Sequence, residues 1–114
     1  MALNLYHEGA KNEPIEGLFA IAQVVLNRAQ RNPAKVCDAI FAPAQFSWTL
    51  NPPPVELGRP WNNAVSVARL SFYMRDFTAG ATHYHAGYVR PKWARSMAVV
   101  GNYGNHVFYK GTAK

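Results

Sequence analysis

The chain has 114 residues, which is enough for one domain with a single hydrophobic core and too few for two. Hydrophobic residues make up 49%, with three tryptophans, six tyrosines and six phenylalanines, and this composition excludes an intrinsically disordered chain. The formal net charge of +6 predicts attraction to a polyanion, such as nucleic acid, anionic lipid or a bacterial envelope polymer.

The first residues and the cysteine content bear on where the protein is made. Residues 1–8 have neither a basic segment nor an apolar core, so we expect cytoplasmic synthesis without a signal peptide. No apolar run approaches the length of a membrane span, so we expect no stable membrane insertion. Cys37 is the only cysteine, which excludes an internal disulfide, and its place in an apolar helix predicts a structural thiol.

The first third of the chain has the pattern of three helices. Residues 3–10 are predicted to form a short helix that ends near Gly9. Pro14 opens a long core helix that ends around Arg31, and a third, short helix is predicted over residues 34–41. The core helix has an apolar stripe of Ile15, Leu18, Phe19, Ala22, Val25 and Leu26, opposite a predicted polar side of Glu16, Gln23, Asn27 and Gln30.

The middle of the chain combines a proline-rich loop with one more helix. Residues 42–57 are predicted to be mainly loop, with a short extended segment over residues 45–48. A helix is predicted over residues 59–77, and Gly80 follows it as a stop signal. The helical spacing of Trp61, Val65, Ala68 and Phe72 predicts that these side chains lie in the core.

The last third changes to a strand pattern. Residues 81–86 alternate, with Thr82, Tyr84 and Ala86 predicted on one face and His83 and His85 on the other. An irregular or short helical piece is predicted over 91–97, followed by a turn over 101–105 and a strand over 106–109. The sequence therefore predicts an α+β class, mainly helical, with a small sheet from the C-terminal third, in a single domain over residues 1–114.

Two kinds of active site are compatible with these residues. Glu8 lies next to a hydrophobic helix, and an apolar setting raises the pKa of a carboxyl group until it can act as an acid. Alternatively, His83, His85 and His106 could hold Zn²⁺ with Glu8 as general base. A non-catalytic module that binds a polyanion is a third possibility, although the scattered basic residues do not favour nucleic acid.

Several motifs occur in an order that resembles the SleB/CwlJ-type cell wall hydrolases, which include spore-cortex-lytic enzymes and some phage endolysins. The matching stretches are residues 6–8 (YHE), 13–17 (EPIEG), 20–28 (AIAQVVLNR), 36–41 (VCDAIF), 45–48 (QFSW), 81–86 (ATHYHA) and 101–109. The resemblance implies a lysozyme-like fold and a lytic transglycosylase that cleaves between N-acetylmuramic acid and N-acetylglucosamine. It implies no cofactor or metal, and it makes Glu8 the catalytic acid.

The resemblance also implies partners and a substrate site. The expected partner is the peptidoglycan glycan strand, which an endolysin-type enzyme would reach in the host cell wall, and we expect a monomer that binds no nucleic acid. The predicted substrate-binding residues are Gln45, Phe46, Ser47, Thr82, Tyr84, His85 and Trp93, and Trp48 is a further candidate for stacking on sugars.

The chain departs from the family pattern at two places, and its other carboxylates suggest no second catalytic group. The segment from Glu8 to Pro14 is one residue longer than in the family and lacks an arginine, and Ala44 replaces a glycine. Glu13 and Glu16 are interpreted as stabilising the dipole of the core helix, as acids at a helix start do. A mechanism with one carboxylate is therefore expected.

Overall fold

The structure, a computed structural model, describes residues 1–42 and 46–111, with only the backbone of Ser47. The described part confirms an α+β fold. Its helices are α1 (Ala2–Leu5), which continues into a π-helical turn (Tyr6–Ala10), α2 (Ile15–Arg28), α3 (Val36–Phe41) and α4 (Arg59–Ser71). Short 3₁₀ helices cover Pro33–Lys35, Ser47–Leu50 and Lys92–Ser96. Among the described helices, none is both long and apolar enough to cross a membrane.

Helix α2 is the centre of the core. Its residues from Gly17 to Leu26 are buried, except for the partly buried Phe19, because the other helices and the sheet surround it. Gln23 is therefore fully buried, and its prediction on a polar face is wrong. Its side-chain oxygen accepts a hydrogen bond of 2.7 Å from Arg31, whereas its buried Nε2 atom has no hydrogen-bond partner within the described part of the chain.

A three-stranded antiparallel sheet follows the helices. It consists of β1 (His83–Ala86), β2 (Ala98–Tyr103) and β3 (His106–Lys110), in the order β1-β3-β2. Strand β2 is missing from the sequence prediction, since its Gly and Asn residues were interpreted as part of a turn over 101–105. The turn itself is shorter, and Gly104 takes the left-handed conformation that it needs (φ +59°).

Three further predictions are wrong. Helix α4 ends at Ser71 instead of continuing to residue 77, so Phe72 lies at its end and is 41% exposed. The segment predicted as extended is a 3₁₀ helix from Ser47 onwards, and only Phe46 within its described part is extended. Cys37 is exposed, because α3 directs its apolar side chains Val36 and Ile40 inwards and turns the thiol to the surface.

Candidate active site

Glu8 lies where the N-terminal helix meets the sheet. It belongs to the π-helical turn, and the Tyr84 hydroxyl of β1 donates a hydrogen bond to its Oε1 atom. The ring of Tyr84 is held in turn by Phe108 of β3, which stacks on it with the ring centroids 5.4 Å apart. The structure therefore brings Glu8 and Tyr84 together from positions 76 residues apart in the chain.

The surroundings of Glu8 favour its protonated form. Burial raises the pKa of the Glu8 carboxyl, and the hydrogen bond from Tyr84 and the charges of His106 and Arg28 oppose this rise without cancelling it. Burial, followed by the negative charge of Glu8, raises the pKa of Tyr84 well above its ordinary value, so the phenol stays protonated as a donor. Since Tyr84 occupies Oε1, the other carboxyl oxygen of Glu8 is available to carry a proton.

Arg28 brings a positive charge to the same region from the end of α2. Its Nε donates to the carbonyl oxygen of Thr82 at 2.6 Å, and its guanidinium lies 5.2 Å from the ring centroid of Phe46. Burial lowers the pKa of Arg28, and the charges of Tyr84 and Glu8 partly oppose this effect. A guanidinium group stays protonated in proteins, so Arg28 is a cation. A carboxylate at Glu8 would therefore meet a fixed positive charge nearby.

Glu13 has a role that the sequence did not reveal. Its side chain is only 2% exposed and accepts two hydrogen bonds, from His106 Nδ1 at 2.6 Å and from the Asn105 backbone N–H at 3.1 Å. His106 also meets the edge of Tyr84, with the ring centroids 5.2 Å apart. The Glu-Pro pair in the family pattern was the one signal in the sequence that marked Glu13.

Glu8 and Glu13 both open onto one cleft of about 290 Å³. The cleft is lined by Glu8, Gly9, Asn12, Glu13, Ala86, Tyr88, Asn105 and His106. Tyr88, which no sequence pattern marked, is 91% exposed and offers a ring face at this cleft. The cleft approaches the lower size limit of ligand pockets and combines an acid with amide groups and an aromatic ring.

The other predicted substrate residues do not gather around Glu8. The Thr82 hydroxyl accepts from the Gly111 N–H at 2.7 Å, and Phe46 is 4% exposed beneath Arg28. His85 and Trp93 pack against Tyr109, with their ring centroids 5.3 and 5.2 Å from the tyrosine ring. Tyr109 faces away from the Glu8 side of the sheet, because it neighbours Phe108 in the same strand. Gln45 and the side chain of Ser47 lie outside the described residues.

Two interpretations made from the sequence are corrected by the geometry. Trp48 is only 9% exposed, and its indole N–H donates to Asn4 at 2.9 Å, so it belongs to the core. The proposed zinc site fails because β1 and β3 pair with Ala86 opposite His106, which puts His106 on the Tyr84 face and His83 and His85 on the other. Among the described residues, no three groups of metal-ligand type converge.

The family model for cell wall hydrolases matches residues 12–109, which is most of the chain. The chain belongs to the cell wall hydrolase family. Its structure is similar to the catalytic domain of the germination-specific lytic transglycosylase SleB from Bacillus anthracis. The two share 27% identity and a TM-score of 0.76, over 96% of this chain and 90% of that one. The catalytic domain of Bacillus cereus SleB is also similar, with 27% identity and a TM-score of 0.74, over 96% of this chain and 86% of that one.

These similarities confirm the resemblance and the lysozyme-like fold. No curated protein is significantly similar to the chain. As a member of this family the protein is an enzyme that degrades the peptidoglycan of the cell wall, so the alternative of a non-catalytic module is wrong. Glu8 itself precedes the segment that matches the family model.

Proposed function

We propose that this cell wall hydrolase is a lytic transglycosylase. It cleaves the bond between N-acetylmuramic acid and N-acetylglucosamine, and Glu8 is its single catalytic carboxylate. The observation that carries the proposal is the setting of Glu8, whose carboxyl is partly buried at a cleft, has a raised pKa and is oriented by Tyr84. The similarity to a catalytic domain described as a lytic transglycosylase supports the same reaction.

The reaction begins with proton transfer from Glu8. Protonated Glu8 donates its proton to the glycosidic oxygen, and the bond between this oxygen and the anomeric carbon of the muramic acid breaks. The N-acetyl group of the substrate stabilises the positive charge that develops on this carbon. The Glu8 carboxylate then accepts the proton of the muramic acid O6 hydroxyl, and O6 bonds to the anomeric carbon. The product is a 1,6-anhydro sugar, and no water is consumed.

Arg28 and Tyr84 can stabilise Glu8 in the second half of the reaction, when Glu8 is a carboxylate. The carboxylate that remains after proton donation is a charge in a partly buried site, and it needs compensation. The hydroxyl of Tyr84 donates to it, and the charge of Arg28 stabilises it. Both groups are already in position before the proton is transferred, so little reorganisation is needed.

Glu13 is the alternative second carboxylate, and its contacts argue against a catalytic part. Of the described residues that line the cleft, only Glu8 and Glu13 carry a carboxylate. An inverting or retaining glycosidase would need the second one to reach water or the anomeric carbon. Glu13 instead accepts hydrogen bonds from His106 and Asn105, which hold both of its oxygens. A mechanism with one carboxylate therefore fits this site better.

The decisive experiment is mass spectrometry of the soluble fragments that the protein releases from purified peptidoglycan. We expect muropeptides that end in 1,6-anhydro-N-acetylmuramic acid, with and without EDTA. The variant Glu8→Gln should release ~10²–10⁴-fold fewer of them while it keeps its circular dichroism spectrum. Reducing ends in place of anhydro ends would make the enzyme a hydrolase, and full activity of Glu8→Gln would remove Glu8 from the mechanism.

The cellular role that we propose is host lysis as a phage endolysin, acting as a monomer. The support for lysis is the resemblance to a family that includes phage endolysins. Expression inside a bacterium should cause lysis only when a separate protein permeabilises the inner membrane, and light scattering should give the mass of one chain. Lysis without a permeabilising protein, or a dimer mass, would contradict this role.

A further inference from the structure

A second cleft, of about 420 Å³, lies on the face of the sheet that is turned away from Glu8. We call it the basic cleft, because Arg90, Lys92 and Arg95 line it together with His85 and Tyr109. The strand register fixes its side of the sheet. Tyr84 and His106 point towards Glu8, so the residues that alternate with them point the opposite way. A ligand in this cleft would leave the candidate active site free.

The permanently charged side chains that line the basic cleft are all positive. Its three cationic side chains are exposed, and none of them is in a salt bridge within the described part of the chain. No Asp or Glu occurs anywhere after Asp76, so the sequence that forms the sheet and its loops carries only positive charge. Like charges gathered at a concave surface attract an anion more strongly than the same charges scattered on a convex one.

An ordered aromatic wall borders these cations. His85 Nδ1 donates to the carbonyl oxygen of Ala86 at 2.7 Å, so His85 Nε2 accepts the 2.8 Å hydrogen bond from the Tyr109 hydroxyl. Trp93 meets the edge of Tyr109 at 5.2 Å and an angle of 84°. These contacts hold the rings in place, and ring faces pack well against the apolar faces of sugars.

We propose that the basic cleft binds an anionic group, a phosphate or a carboxylate, carried by the cell wall polymers. The site acts as a second contact that keeps the enzyme on the wall, separate from the cleft of Glu8. The inference rests on membership of the cell wall hydrolase family and does not depend on Glu8 being catalytic. Cell walls offer both chemistries, as the phosphodiesters of teichoic acids and the carboxylates of peptide stems.

The test compares two triple variants in the Glu8→Gln background. Arg90→Gln, Lys92→Gln and Arg95→Gln together remove the charge of the basic cleft. Arg59→Gln, Arg69→Gln and Arg75→Gln remove the same charge from exposed positions in and just after helix α4. Binding is measured at 4 °C by co-sedimentation with purified walls at low salt. Soluble fragments counted in the same samples report separately on cleavage and so on the proposed function.

We expect the basic-cleft variant to bind walls about 10–100-fold more weakly, as the loss of three cations near an anionic surface predicts, with a smaller salt dependence. The α4 variant should stay within about threefold of the parent protein, since its three charges do not line one shared cleft. Equal losses in both variants would mean a general effect of net charge and would overturn the proposal. No loss in either variant would overturn it as well.

Two further arms identify the source of the anion. Walls stripped of teichoic acid with hydrofluoric acid keep the peptide stems. If the basic-cleft variant is still weaker on stripped walls, the ligand is a carboxylate, and if the difference disappears, it is a phosphate. Binding of both variants to a DNA duplex is also measured, because DNA is a polyanion of another class. Loss of DNA binding with unchanged wall binding would overturn the proposal in favour of a nucleic-acid site.

Discussion

Glu13 and His106 join the two sides of the candidate active site through a hydrogen bond of 2.6 Å between Oε2 and Nδ1. Glu13 lies between the π-helical turn and α2, and His106 opens strand β3, 93 residues later. Because His106 also packs against Tyr84, the position of the donor to Glu8 depends on this pair. The pair therefore acts as the clamp that holds the sheet against the turn of Glu8.

Replacing Glu13 should destabilise the protein. In Glu13→Gln one carboxylate oxygen becomes an NH₂ group, so either His106 or Asn105 loses its acceptor in a buried place. We expect a loss of about 1–3 kcal/mol in the free energy of unfolding, measured with urea. Glu16→Gln removes the same charge from an exposed neighbour and should cost less than about 0.5 kcal/mol. Equal effects of the two changes would contradict the clamp.

Glu8→Gln should stabilise the protein at neutral pH. Because the folded-state pKa of Glu8 is raised, the folded protein holds this proton more tightly than the unfolded chain. The contribution of this proton to the stability of the folded protein is fully present below the pKa that Glu8 has in the unfolded chain. It is lost as the pH rises through the pKa that Glu8 has in the folded protein. A neutral amide avoids this loss and still accepts from Tyr84. The melting temperature of Glu8→Gln should therefore exceed that of the parent protein by more at neutral pH than below the ordinary Glu pKa of 4.5.

Tyr84→Phe should change the pH dependence of activity. The hydroxyl of Tyr84 lowers the pKa of Glu8, so its removal lets burial raise that pKa further. The decline of kcat/KM on the alkaline side should then move to higher pH, and the rate should fall about tenfold for the lost hydrogen bond. Tyr103→Phe is the control, since its hydroxyl bonds to the carbonyl of Phe77. A shift to lower pH would contradict this arrangement.

Gly104→Ala should disturb the hairpin beside the clamp. Gly104 has φ +59°, and a Cβ atom there would lie 2.8 Å from Glu13 Oε2 and 3.1 Å from Gly17 Cα. We expect a loss of about 1–3 kcal/mol from backbone strain and the clash, measured by urea unfolding. Gly87→Ala should be nearly neutral, because the nearest atom to its Cβ is an ordinary 3.6 Å away. A tolerated Gly104→Ala would show that the hairpin can shift.

Tyr88→Ala should weaken substrate binding. Tyr88 is 91% exposed at the Glu8 cleft, where its ring can stack on a sugar. We expect KM for soluble glycan strands to rise about 5–10-fold, the value of roughly one aromatic contact, with little change in kcat. Tyr73→Ala serves as control, because Tyr73 is 88% exposed but follows α4. Equal kinetics for both variants would remove Tyr88 from the substrate site.

The periodicity of apolar residues in the sequence correctly predicted the elements in which such residues recur at regular spacing. Helix α2 and the alternation of β1 were predicted because local spacing alone fixes which side chains share a face. Gln23 and Phe72 were misplaced, since a helix surrounded by neighbours buries its polar side too, and α4 ends before its apolar pattern does. Strand β2 was missed because its residues Gly101 and Asn102 pair with β3 without any local signal in the sequence.

By itself the sequence determined the family, the helical core and Glu8 as the candidate acid, because these depend on residues that are close in the chain and on ordered motifs. Only the tertiary structure decided that Tyr84 donates a hydrogen bond to Glu8 and that Glu13 pairs with His106. It also decided that His106 lies on the opposite face of the sheet from His83 and His85, the other two histidines of the zinc hypothesis. Hydrogen bonds across more than 70 residues and the face of a strand depend on strand register and packing. The sequence pattern leaves both open, and the folded core fixes them.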